Sequence, residues 1–478
     1  MLFNSFVFFF FLLTVLPIYY LLKTKRHRNL YLLGVSYIFY GYWDWRFCFL
    51  LLASTIIDYI LGLKMGAVTE PKKKKLFLYV SIIVNLGILG FFKYFNFFIE
   101  SFQHIGSQFG YNVDFLHLHI ILPVGVSFYT FQSLSYTFDI YKGNLKPIRD
   151  FWDYALFVAF FPQLVAGPIE RAVILIPQVS RKNHATKQQF LDGTILIIYG
   201  LFKKVLIGDA SGRFVDQIFT HMDRYSSWEV VFAWVLFSVQ IYADFSGYSN
   251  IARGTAKLFG FELMKNFNQP YLSTNITEFW RRWHISLSSW LRDYLYIALG
   301  GNRKGKGRTY VNLFLTMLIG GLWHGASWTF VIWGGLHGIY LAVHKLMLGN
   351  KKITAVHHPL NSIRNVLKVL PGMVFTYLLV LIAWLFFRAK GMHDVYAVVG
   401  KLENWTWGTY PWRFATILLG FAGVSFICDL FEYKTQSHVF LNRIKYPPLM
   451  YGLLCAMFIG VALFLINSKP APFIYFQF

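Results

Sequence analysis

The feature of this sequence best suited to chemistry is an imidazole set among glycine and tryptophan. His324 lies in LIGGLWHGASWTF, and the run from Val311 to Leu336 carries no Asp, Glu, Lys or Arg. Histidine is the side chain whose unperturbed pKa lies nearest neutrality, so it takes and returns a proton readily. An ionisable group in apolar surroundings is costly and usually marks a pathway or a reaction centre. Gly320, Gly321 and Gly325 let backbone or substrate approach closely. A second imidazole, His284, falls in EFWRRWHISLSSWLRDYLY (278–296). Wound as one helix at about 100° per residue, that stretch gathers Trp280, Trp283, Leu287, Trp290, Leu291 and Tyr294 on one face. Arg281, Arg282, Ser286, Ser289, Arg292 and Asp293 take the other, and His284 falls on the apolar side near Leu291 and Leu295. A ring buried there needs a partner for its N–H. The structural alternative, a histidine that bonds a carbonyl to fix packing, weighs more for His284 and His337 than for His324.

Other chemistries find less support. There is no G-x-S-x-G elbow, and Cys48, Cys428 and Cys455 sit in apolar stretches without a basic neighbour. No His or Cys pair has ligand spacing, so no metal is expected, and no Walker or Rossmann glycine motif occurs. His357-His358, before Pro359 in a basic loop, reads as solvated. The stretch GGNRKGKGR (300–308) joins mobile glycines to basic side chains, which suits phosphates or anionic lipid headgroups. Asp58, Asp139 and Asp244 sit among aromatics and are expected to pair with Arg253, Lys or backbone.

The elements that must position these groups follow from composition. The chain has 478 residues, 56% hydrophobic and 20% aromatic, with only 14% charged. Its mean hydropathy is +0.47. An ordinary soluble chain carries about 25% charged residues; this composition excludes a disordered or cytosolic protein and predicts an all-α polytopic membrane protein. The formal charge of +23 fits basic cytoplasmic loops and contact with membrane lipid, and no nucleic-acid partner is needed. Apolar spans run near 2–22, 29–43, 47–63, 76–99, 120–141, 190–207, 228–245, 310–324, 328–345, 369–388, 412–432 and 447–467. That predicts about 11–13 transmembrane helices, since crossing takes about 20 helical residues. The segment 1–22 is apolar from its start and its charge follows it, the reverse of a cleavable signal. Loops 23–28, 64–75, 142–152, 250–308, 346–368 and 433–446 are basic, whereas 100–119 holds no Lys or Arg, which places the N-terminus outside. Two stretches break the pattern: 151–170, interrupted by Pro162, Gly167 and Pro168, and 276–300, too polar to span and too apolar for a loop. Irregular backbone at membrane depth occurs where it is buried in protein or lines a cavity. One local echo stands out, GGLWHG (320–325) against GGLHG (334–338).

Taken together, NQPY (268–271), FWRRWHISLSSWLRDYLYIALGGNRKG (279–305) and GGLWHGASWTFVIWGGLHG (320–338) resemble the membrane-bound O-acyltransferase family. FYTFQSLSYTFDIYKG (128–143), FFPQLVAGPIER (160–171) and YADFSGYSNIARG (242–254) resemble its polysaccharide-acetylating branch. The resemblance runs from the first span to about residue 345. It implies one integral membrane unit over 1–478, with N-terminal spans 1–119, a core at about 120–345 and C-terminal spans 346–478. Helices, with re-entrant or interfacial pieces, would surround a central funnel or channel in a bacterial cytoplasmic membrane. By motif, His324 corresponds to the catalytic histidine and His284 to the second characteristic polar position. Asn268, Trp323, Arg281, Arg282, Arg303, Lys304 and Arg308 are then the expected substrate contacts, the basic ones for the phosphates of coenzyme A. The implied donor is acetyl-CoA, with no bound cofactor. The implied partner is an extracytoplasmic polysaccharide O-acetyltransferase of SGNH type, acting on a glycan such as alginate. Competing expectations are a D-alanyl transferase fed by a carrier-protein thioester, a secondary transporter, and a non-catalytic scaffold.

Overall fold

Proline, glycine and buried polar residues decide where the helices of this chain stop. The structure, a computed structural model, describes residues 1–110, 118–165, 167–349, 360 and 362–476. His357-His358 and part of the 346–368 loop lie outside the described residues. Every regular element among the described residues is a helix. Seven are long and apolar enough to cross a membrane: Arg46–Ala67, Pro71–Gln108, Ser227–Leu258, Trp328–Leu348, Ile363–Arg388, Pro411–Thr435 and Pro447–Ile466. The other stretches marked as spans are covered by helices that are shorter or more polar, among them Phe6–Leu21, Lys25–Gly41, Val126–Lys142 and Lys306–His324. Val126–Lys142 shows the reason, since it buries Thr130, Gln132, Ser133, Ser135, Thr137 and Asp139 along with its apolar residues. The chain is an all-α polytopic membrane protein, and its outward-facing helices expose Phe375, Leu419 and Ile466.

The chain forms two compact units, residues 1–194 with 252–264, and residues 195–251 with 265–478. In the first, buried acids are held by neutral or cationic donors. Asp58 accepts from Ser81 Oγ at 2.6 Å and Asn85 Nδ2 at 2.8 Å. Asp153 accepts from Lys25 Nζ at 2.6 Å and Asn29 Nδ2 at 2.8 Å. The interrupted stretch 151–170 forms Phe151–Ala159, capped by Asp150, then the short turn Phe161–Leu164. Glu170 ends it, fully buried, with Oε1 accepting from Met264 N at 2.6 Å. Burial pushes its carboxyl up to about 8.

In the second unit, Lys306–His324 and Trp328–Leu348 form a close hairpin, which explains the repeated glycines. A Cβ on Gly321 would come within 2.8 Å of Gly334 Cα, and one on Gly334 within 3.0 Å of Gly321 Cα. Only paired glycines let these two backbones approach so far. The hairpin turn begins directly after His324, so the close contact fixes where that ring sits.

Candidate active site

The single helix expected over 278–296 is not formed. Ile276–Arg282 ends at Trp283, His284 takes φ +43° and ψ 54°, and Ile285–Trp290 starts afresh before a π-helical turn, Leu291–Tyr296. A non-glycine residue in the left-handed region is held there by its surroundings. The hold is visible: Ile285 N donates to Asn266 O at 2.8 Å, and Ser286 Oγ donates to Asn266 Oδ1 at 2.6 Å. The break resets the helical phase, so the expected faces change. Trp280, Trp283, Leu287, Trp290, Leu291 and Tyr294 are all buried, as the pattern requires, but so are Arg282 and Ser286. His284 sits at the break itself. Its ring centroid stands 4.6 Å from Phe245, 6.1 Å from Trp323 and 6.2 Å from His324.

His324 is the last residue of its helix and is 3% exposed. Trp323 and Trp333 each lie 5.0 Å from its ring, Phe387 at 5.4 Å and Tyr475 at 5.3 Å. The two imidazoles thus share a chamber walled by aromatic rings. His284 is fully buried and neither of its ring nitrogens has a hydrogen-bond partner. Burial holds its pKa down at about 3, so it is a neutral imidazole with one N–H to donate. Tyr475, also on the wall, has a buried hydroxyl with no hydrogen-bond partner. His337 Nδ1 accepts from Trp280 Nε1 at 3.3 Å and its ring stacks parallel to Phe279, while its Nε2 is buried without a hydrogen-bond partner.

Next to the chamber is a largely apolar cleft of about 460 Å³, lined by Trp280, Arg281, Ser288, Met317 and Lys345 among others. Trp280 lies 5.8 Å from Trp333, so two indoles span from the cleft to His324. Of the expected phosphate contacts, Arg281 lines this cleft, joined by Arg292 and Lys345, which the sequence reading did not single out for that role. Arg303 and Lys304 are exposed in the turn before Lys306–His324 and Arg308 in the first turn of that helix, and Asn302 and Thr309 from the same stretch reach the cleft wall. Arg282 does not belong with them. Its side chain is 1% exposed and ion-paired to Glu278 at 2.8 Å, so its guanidinium is committed to a buried carboxylate. Asn268 meets the break through its backbone, donating to Arg282 O at 3.0 Å and accepting from Arg282 Nη1 at 3.1 Å.

The sequence reading missed a buried ionic cluster. Lys203 Nζ lies 2.8 Å from Glu432 and 3.8 Å from Asp429. Tyr199 Oη and Gln269 Nε2 both donate to Glu432 at 2.7 Å, and Tyr242 Oη donates to Asp429 at 2.7 Å. Gln269 carries φ +48° in the NQPY turn, so the cluster clamps the segment that leads into the broken helix. The available signal was a pair of lysines inside an apolar stretch, YGLFKKVLIG. Asp244 is paired with Lys204, within the class of partners expected for it. Among the described residues no group of three or more His, Cys, Asp or Glu comes together to hold a metal ion.

Residues 148–362 match the MBOAT, membrane-bound O-acyltransferase family. A protein named probable alginate O-acetylase from Azotobacter vinelandii is 42% identical over 85% of this chain and 79% of its own length. Its Pseudomonas putida namesake is 39% identical over 99% of this chain and 90% of its own. A peptidoglycan O-acetyltransferase of Helicobacter pylori is 36% identical over 94% of this chain and 85% of its own. A teichoic acid D-alanyltransferase of Bacillus subtilis is more distant, 27% identical over 58% of this chain and 71% of its own.

Proposed function

The chain belongs to the membrane-bound O-acyltransferase family, and from that premise we propose that it moves an acetyl group from cytoplasmic acetyl-CoA to a hydroxyl on the far side of the membrane. The observation that carries the reading is the pair of imidazoles, ring centroids 6.2 Å apart, in an aromatic-walled chamber beside a cleft of about 460 Å³. The cleft, with Arg281, Arg292 and Lys345 on its walls, receives the donor, its apolar length suiting the pantetheine arm and its cations the phosphates. His324 acts as general base on the acceptor hydroxyl, which attacks the thioester carbonyl. The C–S bond breaks, and the proton held on His324 passes to the leaving thiolate. General-base catalysis contributes about 10²–10⁴-fold. Neutral His284 donates its N–H to the developing oxyanion, an interaction strengthened where water is excluded. Asn268 and Trp323 shape the approach of the substrates.

The acceptor is a hydroxyl of an exported polysaccharide, or of an SGNH-type partner transferase that passes the acetyl group on. The relatives of similar identity named for alginate and for peptidoglycan support the reaction class without choosing the glycan. The basic loops support a bacterial cytoplasmic membrane location with the N-terminus extracytoplasmic.

The test is purified protein in proteoliposomes, with labelled acetyl-CoA on one side and a polysaccharide plus the partner transferase on the other. Label appears on the polysaccharide or on the transferase, and its appearance requires His324. Use of a D-alanyl carrier-protein thioester but not acetyl-CoA overturns the donor assignment. Solute flux without thioester consumption overturns the enzymatic reading.

A further inference from the structure

The segment 470–476 returns into the second unit and forms part of the chamber. Phe473 is fully buried, Ile474 is 4% exposed, and Phe473 stacks on Tyr475 at 5.2 Å. Phe245 touches both rings, at 5.1 and 4.7 Å, and Tyr475 faces His324 at 5.3 Å and His284 at 6.2 Å. These are adaptable ring contacts that alone would let the segment slide. Two polar contacts give it a register. Ile474 N donates to Asp244 Oδ2 at 2.8 Å, and Lys204 Nζ donates to Pro472 O at 3.4 Å.

Asp244 divides its two oxygens, Oδ1 to Lys204 Nζ and Oδ2 to the segment. Lys204 also pairs with Asp209 at 2.5 Å. The sequence builds this junction from glycine and a π-helical turn. A Cβ on Gly208 would come within 2.9 Å of Asp244 N, so only glycine lets the two backbones approach there. Lys203 and Lys204 both lie in the π-helical Phe202–Asp209. Being consecutive, they point apart, Lys203 to Glu432 and Lys204 to Asp244. A small cavity of about 80 Å³, lined by Lys204, Asp209, Gln240, Asp244 and Pro472 among others, borders the junction. A cavity of that volume has room for water.

We infer that Lys204 and Asp244 are positioning residues for acyl transfer: together they latch segment 470–476 so that Tyr475 closes the wall over His284 and His324. The inference rests on the acetyl-transfer reading above. Its consequence is a partition. A closed chamber delivers the acetyl group to the acceptor hydroxyl, whereas an open one lets water attack the thioester.

Three variants test it, scored by acetyl transfer to acceptor and by total thiol released from acetyl-CoA. Asp244→Asn keeps an oxygen acceptor but weakens the pairing with Lys204. Ile474→Pro removes the N–H that Asp244 accepts and leaves the ion cluster whole. Ending the chain at Lys469 removes the segment. A misplacement of about 1 Å costs on the order of 100-fold; the shortened chain is expected to lose that much transfer, and the two point variants about tenfold. In all three the ratio of hydrolysis to transfer rises, and the donor KM stays within about twofold. A synthetic peptide of residues 470–478 restores transfer to the shortened protein. Wild-type transfer by the shortened chain, or an unchanged hydrolysis ratio in Ile474→Pro, overturns the latch. His324→Ala serves as the control: normal transfer by that variant sinks the reaction reading, and its inactivity beside a fully active Ile474→Pro sinks the latch alone.

Discussion

Two buried regions of the second unit handle polar groups in opposite ways. Around His284 and His324 the neighbours are rings, and His284 has no hydrogen-bond partner at either nitrogen. Around Lys203 and Lys204 the charges are closely paired, with Glu432 alone contacted by Lys203, Tyr199 and Gln269. Burying a polar group without a hydrogen bond costs free energy, a cost that a ligand can offset by supplying the missing partner. The ionic cluster satisfies its groups and so fixes a segment in place. The chamber leaves capacity open, as a site must if an incoming carbonyl or hydroxyl is to complete it. On the proposed reading, the difference separates residues that hold the site from residues that act in it.

The comparison predicts distinct losses. The largest is in catalysis: His324→Ala reduces acetyl transfer by about 10²–10⁴-fold, while the melting temperature in detergent stays near wild type. A large drop in melting temperature would move His324 to the holding class. Next comes Lys203→Met, which strands Glu432 and Asp429 and destabilises by about 3–5 kcal/mol. Adding Glu432→Gln recovers much of that loss, and melting curves of the single and double variants decide the point.

His284→Gln comes third, with transfer down about tenfold. Its pH signature is separate. The native ring, at about 3 against an ordinary 6.5, binds its proton later than the unfolded chain does. Stability therefore falls as pH drops below about 6.5, and continues to fall toward about 3. His284→Gln flattens that acid limb in melting curves taken from pH 7 to 4; an unaltered limb argues against a buried neutral ring. The smallest effect is on binding. Arg281→Gln with Arg292→Gln raises the donor KM about fivefold, more than neutralising Arg303, Lys304 and Arg308, because the first pair lines the cleft. The reverse order would place the donor phosphates on the 300–308 loop.

Much of this was legible in the chain. His324 could be read because a charge-free run isolates it, and the two glycine motifs could be seen as a pair. The surroundings of His284 could not, because a helical wheel over 278–296 assumes an unbroken helix. The break needs Asn266 to capture Ile285 N and Ser286, a contact across nearly twenty residues that no local pattern encodes. The burial of Arg282 against Glu278 is hidden from a helical wheel for the same reason. Lys203 and Lys204 carried a signal in their placement within an apolar stretch, but their acids lie elsewhere in sequence. Tyr475 carried none, since FIYFQF reads as one more apolar segment.

The sequence by itself determined the solvent, the helical class and a glycine-flanked imidazole at 324 within a charge-free run, because these follow from composition and local spacing. Only the tertiary structure decided which residues meet that imidazole. His284, Tyr475 and the latch at Asp244 come from three distant segments, and their meeting depends on close backbone approaches and a left-handed residue that exist only once the helices have packed.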